Sequence, residues 1–292
     1  MTNATKVLLL GSQGQVGWEL QHSKPSSIDL YALNHLDLDI RDANKVREVA
    51  IKFQPDCIIN AAAYTAVDRA ETDVDLAYAI NCDGAANCAL AAKVCNAKLI
   101  HISTDFVFDG KQSIPYHPEI PTSAIGVYGA SKAAGEEQVK KILNDGALIL
   151  RTAWVYSSHG NNFVKTMLRL MLEKDVIRVV GDQIGSPTYA LGLANAIWKS
   201  INNPNFIGIQ HWTDSGIASW YDFAVAIQEE AINVGYLKNS IPIEMIPTGS
   251  YPTLALRSPY TVLDKTNSYQ ILGHALHWRI ALRQMLTKLK QL

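Results

Sequence analysis

Val7-Leu8-Leu9-Leu10-Gly11-Ser12-Gln13-Gly14-Gln15-Val16-Gly17-Trp18-Glu19-Leu20 decides how this chain folds. The aliphatic run reads as a strand, and the glycine-containing stretch leads from it into a helix. Gly11, directly after the strand, permits a tight turn, and Gly14 lets backbone N–H groups approach a pyrophosphate. Gly17 allows the helix to pack on the sheet with its N-terminus facing the anion. The spacing is G-x-x-G-x-x-G, and its place between a strand and a helix, more than the glycines themselves, marks a dinucleotide-phosphate loop.

Outward from that loop, short aliphatic runs alternate with helical patterns, the sequence form of a parallel sheet covered by helices on both faces. Strands are predicted at residues 6–10, 29–34, 57–60, 98–103 and 147–151. The fold class is therefore α/β, a Rossmann-type doubly wound parallel sheet over residues 1–156 that can recruit later segments. A smaller, mixed α/β C-terminal substrate lobe is expected mainly over residues 157–292. There the strand-helix rhythm loosens into helical segments at 163–173 and 219–234, separated by stretches rich in Pro, Gly and Asn. Pro242, Pro247, Pro252 and Pro259 make the later segment from Ile241 to Pro259 too irregular for a long helix.

With 292 residues, 48% hydrophobic and 18% charged, the chain has the balance of a globular protein, which excludes disorder and coiled coil. A net charge of −1 gives no global field to attract nucleic acid or an anionic membrane. No apolar run approaches the ~18 residues of a membrane helix, and the start of the chain runs straight into the first strand rather than through an export signal. Cys57, Cys82, Cys88 and Cys95 form no C-x-x-C pair, and three of them share an alanine-rich helical stretch; they read as reduced thiols of a cytoplasmic protein. The histidines lack ligand spacing. His274 and His277 lie three apart, as on one helical face, and read as surface or capping residues.

Tyr128-Gly129-Ala130-Ser131-Lys132 carries the chemistry, because a tyrosine and a lysine one turn apart lie on one face of a helix. A tyrosine with a pKa of about 10 donates a proton near neutrality only if a cation stabilises the phenolate left behind. Lys132 supplies that charge, and its ammonium can also hydrogen-bond a nicotinamide ribose. Thr104, where Ser103-Thr104-Asp105 ends a strand, has a hydroxyl placed to share the charge on a substrate oxygen beside Tyr128. With Asn60-Ala61-Ala62-Ala63 ending another strand, four pieces converge on one cleft, that of a nicotinamide-dependent sugar enzyme. After the second strand an NAD site usually offers an acid to the ribose. This chain has Asn34-His35 there, reaches its acids only at Asp37 and Asp39, and shows no obvious arginine for a 2′-phosphate, so the cofactor is NADPH or NADH.

These residues resemble the extended short-chain dehydrogenase/reductase family, and within it the enzymes that reduce dTDP-linked keto-sugars. The resemblance rests on Gly14-Gln15-Val16-Gly17-Trp18-Glu19-Leu20, Asn60-Ala61-Ala62-Ala63-Tyr64-Thr65-Ala66-Val67-Asp68, Ser103-Thr104-Asp105-Phe106-Val107-Phe108 and Val127-Tyr128-Gly129 with Lys132. It continues through Arg151-Thr152-Ala153-Trp154-Val155-Tyr156, Gly160-Asn161-Asn162-Phe163, Asp182-Gln183-Ile184-Gly185-Ser186-Pro187-Thr188, Ser219-Trp220-Tyr221-Asp222-Phe223 and Tyr251-Pro252-Thr253-Leu254-Ala255-Leu256-Arg257. It covers nearly the whole chain.

The resemblance implies reduction of the C4 ketone of dTDP-4-dehydro-L-rhamnose to dTDP-L-rhamnose, with hydride from NADPH or NADH and a proton from Tyr128. It implies a cofactor site made of Gly11, Gln13, Gly14, Gln15, Val16, Asn34, Asp39, Ile40, Ala62, Ala63, Thr65, Tyr128 and Lys132. The sugar nucleotide would meet Thr104, Asp105, Trp154 and Arg257, the last suited to a diphosphate. The partner is thus a dTDP-sugar, not nucleic acid or membrane, and a homodimer is compatible. Some family members hold a metal between dimer glutamates. Here Glu19 persists, but Leu191 stands where a second acid is expected and Leu289-Lys290-Gln291-Leu292 offers none, so no metal site is predicted. Two other activities share the scaffold: a non-catalytic NADP-binding regulatory subunit like the β subunit of methionine adenosyltransferase, and a sugar-nucleotide epimerase or dehydratase. Retention of Thr104, Tyr128 and Lys132 together favours an enzyme, and the single acid of Asp105-Phe106 argues against a dehydratase.

Overall fold

Val7, Leu8, Leu9 and Leu10 are all buried. A run apolar on both faces is satisfied only in a strand covered on both sides, which is the condition of a parallel sheet. The computed structural model describes residues 4–292. The elements that position the site are, in chain order, β1 (Thr5–Leu10), α1 (Gln15–His22), β2 (Ile28–Leu33), α2 (Ala43–Phe53), β3 (Cys57–Asn60), α3 (Gly84–Cys95) and β4 (Lys98–Thr104). They continue with α4 (Val127–Leu143), β5 (Ala147–Thr152), α5 (Phe163–Glu173), α6 (Ala190–Ile201), β6 (Gly208–His211), α7 (Trp220–Asn233) and α8 (Trp278–Gln291).

The six strands form one parallel sheet in the order β6-β5-β4-β3-β1-β2. Side chains alternate between two cores. Val7, Leu9, Cys57 and Ile59 point to the face covered by α1 and α6, whereas Leu8, Leu10, Ile58 and Leu99 point to the face covered by α2, α3 and α4. From β1 the chain steps one way to β2 and then back across to β3, so the strand order reverses between β1 and β3. A crevice opens there at the carboxyl ends, where Leu10 is level with both Leu33 and Asn60. The Rossmann-type reading therefore holds, with strand limits within a residue or so of expectation. β2 stops at Leu33 because the Asn34 side chain closes a turn, accepting from the N–H groups of Leu36 at 2.7 Å and Asp37 at 3.3 Å.

The chain does not divide at one point. After α5 it returns to the first core, where α6 supplies Leu193, Ala194, Ile197 and Trp198 and β6 adds the sheet's last strand. The second core lies under α5, α7 and α8, around Val164, Leu168, Phe223, Ile227, Leu282 and Met285. α5 spans the residues expected, and α7 is bracketed by Ser219, whose capping box with Asp222 starts it, and Val234. The proline-rich segment holds only the short strand Ile243–Ile246, paired in parallel with Ile177–Val180, and one turn of 3₁₀ helix. His274 and His277 do not share a helical face. His274 lies in the connection, and His277 caps α8 by accepting from the Arg279 N–H at 3.2 Å. All four cysteines are free, and among the described residues no helix is long and apolar enough to cross a membrane.

Candidate active site

The glycine loop sits in the crevice, and its three glycines are needed for different reasons. Gly11 has φ +86°, and a Cβ there would lie 2.5 Å from the Ala62 nitrogen. A Cβ on Gly17 would lie 2.2 Å from the Gly11 oxygen, so only glycine lets α1 close on the turn. A Cβ on Gly14 would meet nothing nearer than the Gly11 oxygen at 3.5 Å. Gly14 caps α1 without any side-chain hydrogen bond, so no capping side chain takes up the first-turn N–H groups of α1. Those amides and the positive end of the helix fit the diphosphate of a dinucleotide.

The other expected cofactor residues surround this cradle. Gln13 places its carbonyl 3.0 Å from the His159 ring. The Gln15 side chain accepts from Asn162 at 2.9 Å and donates to the Val155 carbonyl at 3.4 Å, and Val16 packs into the core beneath. Ala62 donates to Asn60 Oδ1 at 3.2 Å, and Ala63 and Thr65 follow in the loop that leaves β3. In the loop after β2, Ile40 is buried against Gly84, while Asp39 is chelated by Arg41 Nε at 3.0 and 2.9 Å. The hydrogen bond from Arg41 holds the Asp39 carboxyl below the usual carboxylate range. Arg41 is thus a cation beside the expected adenosine end that the sequence reading did not single out.

Tyr128 and Lys132 lie in the first turns of α4, beside the end of β4. Lys132 is buried and its Nζ donates to the Ile102 carbonyl at 2.7 Å. Burial pushes its ammonium down to about 8, and the Glu136 carboxylate one turn on works against that shift. Burial pushes the Tyr128 phenol up to about 12; the Thr104 hydroxyl lowers it as a hydrogen-bonding neighbour, and the Asp105 charge raises it. Phe106 packs edge-on against the Tyr128 ring, with centroids 5.4 Å apart. Ser131 Oγ donates to the Tyr128 carbonyl at 2.8 Å and accepts from Asn81 at 3.0 Å, and Asn81 also binds the backbone of Tyr64 at 2.8 and 3.1 Å.

A cavity of about 410 Å³ opens beside this group, and Asp105, Trp154 and Arg257 all line it. Trp154 takes φ +47°, a left-handed conformation, and its indole stacks on Trp220 with centroids 3.5 Å apart. Arg257 pairs with Asp68 at 2.9 Å and lies over the Phe106 ring at 5.8 Å. Asp105 is buried, its carboxyl pushed up to about 6 by desolvation, and its Oδ2 has no hydrogen-bond partner. The cavity thus offers a flat aromatic wall, a cation and a carboxyl within one space, with Phe106 between it and the Tyr128 ring.

The family model described as "RmlD substrate binding domain" matches residues 5–291. The chain belongs to the dTDP-4-dehydrorhamnose reductase family. It is 38% identical over 295 residues to the dTDP-4-dehydrorhamnose reductase of Salmonella typhimurium, with 97% of each chain covered. It is 41% identical over 283 residues to the spore coat polysaccharide biosynthesis protein SpsK of Bacillus subtilis, again with 97% of each covered. Among solved structures, the dTDP-4-dehydrorhamnose reductase of Bacillus anthracis in complex with NADP superposes with a TM-score of 0.91 at 37% identity, over 97% of this chain and 99% of that one.

Several residues of this family member's site carry no signal that a motif reading assigns to chemistry. Trp220 lies within Ser219-Trp220-Tyr221-Asp222-Phe223 and Phe163 within Gly160-Asn161-Asn162-Phe163, both already noted for the resemblance, yet only the fold shows their rings meeting at 4.6 Å in one cavity. Asn81 sits in a π-helical turn, Ala79–Asp83, which rotates its amide toward Ser131 and Tyr64. Glu19 is fully buried and engaged by Ser157 Oγ at 2.7 Å and Lys288 Nζ at 3.2 Å. That carboxylate is already answered by a hydroxyl and an ammonium, and the described residues hold no cluster of three metal-ligating side chains around it or elsewhere.

Proposed function

We propose that this protein reduces the C4 ketone of dTDP-4-dehydro-L-rhamnose to dTDP-L-rhamnose. The observation that carries the reading is that Thr104 is a hydrogen-bonding neighbour of the Tyr128 phenol, while Phe106, packed on the Tyr128 ring, and Asp105 line the cavity of stacked indoles and an arginine. When bound, NADPH or NADH supplies the hydride that adds to the ketone carbon. Tyr128 donates its proton to the ketone oxygen, and the Thr104 hydroxyl bonds the same oxygen as its charge develops. Lys132 holds the cofactor ribose and stabilises the phenolate left on Tyr128. Asp105 accepts from a sugar hydroxyl with its free oxygen, Trp154 lines the sugar or nucleotide face, and Arg257 exchanges Asp68 for the diphosphate.

Arg257→Ala is expected to raise KM for the sugar nucleotide about 10- to 100-fold with a smaller effect on kcat, since a charge-assisted contact to a non-reacting group contributes about 1.5–3 kcal/mol of uniform binding. Steady-state kinetics in the sugar nucleotide check it, and an unchanged KM removes Arg257 from the diphosphate. The reading as a whole is tested by following loss of reduced-nicotinamide absorbance with dTDP-4-dehydro-L-rhamnose generated in situ. Turnover that needs the sugar establishes the reductase and ranks the two cofactors. Tight cofactor binding with no turnover shifts the protein to a regulatory subunit, and retained cofactor after purification shifts it to an epimerase.

A further inference from the structure

We propose that the buried Glu136–Arg151 ion pair is the positioning device of the site, its carboxylate holding Lys132 in the ammonium form and tying the helix of Lys132 to the strand end that presents Thr104. The inference rests on the role given to Lys132 above.

Lys132, Glu136 and Arg151 are each 1% exposed. Lys132 and Glu136 lie one turn apart on α4, on the face turned to the sheet. Arg151, on β5, grips both Glu136 oxygens through Nε at 2.9 Å and Nη2 at 2.6 Å, and Ser103, on β4, donates its hydroxyl to Oε1 of the same carboxylate. Ser103 is level with Arg151 across the sheet and immediately precedes Thr104. One carboxylate therefore joins α4, β4 and β5 where the three expected catalytic side chains emerge. A buried ion pair is a poor stabiliser compared with apolar packing of similar volume, so stability alone does not account for three elements meeting on a charge.

The electrostatics point the same way. Cys88 faces Lys132 from α3 and His101 from β4, while Tyr128 and Glu136 share its helix. Burial pushes the Cys88 thiol and the Tyr128 phenol up to about 12 and pushes His101 well below its ordinary value, so all three are neutral near pH 7. Asp105, beyond Thr104, acts on Tyr128. Among these described residues Glu136 is the negative charge that opposes the desolvation of the Lys132 ammonium.

The test compares pH profiles of turnover and, separately, of NADPH affinity by tryptophan quenching. It uses the wild type, Glu136→Gln, Glu136→Gln/Arg151→Met and Lys132→Met. Lys132 is protonated below its pKa, so turnover and affinity are expected to fall along a basic limb as pH rises. Without the Glu136 charge that limb moves to lower pH by about one unit or more. The single variant leaves Arg151 buried and unpaired and can fail to fold; the double variant removes both charges and keeps the packing. A folded double variant whose limb stays at the wild-type pH overturns the proposal, because a merely structural pair would be restored there. Persistence of the limb in Lys132→Met also overturns it, since another group would then own the titration. A wild type that binds NADPH but does not turn over the sugar fails the functional reading alone, and the affinity profile still decides this one.

Discussion

Tyr128→Phe is expected to bind NADPH as tightly as the wild type and to turn over about 10²- to 10⁴-fold more slowly, because only the proton donor is lost. The substitution removes one oxygen from a half-buried ring whose edge-on contact with Phe106 is carried by carbon atoms, so the fold around it has no reason to change. Before reaction the phenol must be protonated, and with its pKa pushed up to about 12 by burial it is fully so at neutral pH. The same burial that keeps the proton on opposes its release. Turnover then depends on what stabilises the phenolate: the Thr104 hydroxyl, which already lowers the pKa, and the Lys132 ammonium one turn away. Phenylalanine leaves those groups in place with nothing to deliver to the ketone oxygen, so kcat falls while cofactor Kd stays. Stopped-flow turnover and a fluorescence titration of NADPH separate the two, and near-normal turnover in the variant would remove Tyr128 from the mechanism.

The sheet was legible because its central strands are apolar on both faces. Val7-Leu8-Leu9-Leu10 and Cys57-Ile58-Ile59 feed two cores at once, and no surface helix carries such a run. Gly11 and Gly17 were legible because sterics admit no other residue, which leaves a fixed spacing in the sequence. β6 was not, since Gly208-Ile209-Gln210-His211 lies at the sheet's edge, is only partly buried along most of its length and carries polar side chains. At the site, Tyr128 and Lys132 are one turn apart on one helix and can be read locally. Glu136 and Arg151 meet across 15 residues, Trp154 and Trp220 across a whole lobe, and Arg257 and Asp68 across 189. Such pairs exist only once the chain has folded, and neither partner alone has a spacing that announces it. Arg41 escaped for a different reason: the acid it chelates was judged by its distance from the strand end, not by its neighbour.

Gly17→Ala and Gly14→Ala are expected to damage the same site in different ways, and together they test whether the cradle holds a pyrophosphate. A methyl on Gly17 would sit 2.2 Å from the Gly11 oxygen and 2.8 Å from the Ser12 Cα, both backbone atoms that have no rotamer to yield. α1 must back away from the turn, at a cost of about 1–3 kcal/mol of stability for overpacking. Its first-turn N–H groups move with it, so NADPH affinity should fall by about 100-fold or more. Gly14 has φ −68° and ψ 165°, a conformation open to alanine, and its methyl would meet the protein only at 3.5 Å. The fold should therefore lose no more than about 0.5 kcal/mol, the difference between glycine and alanine as an N-cap. The methyl nonetheless occupies the space above the first-turn amides, so cofactor affinity should still drop about tenfold or more. Thermal denaturation and NADPH titration on both variants give four numbers: two losses for Gly17→Ala, and for Gly14→Ala a loss of affinity with a nearly unchanged Tm. If Gly14→Ala binds NADPH like the wild type, the pyrophosphate does not approach that backbone and the cradle has been assigned to the wrong ligand.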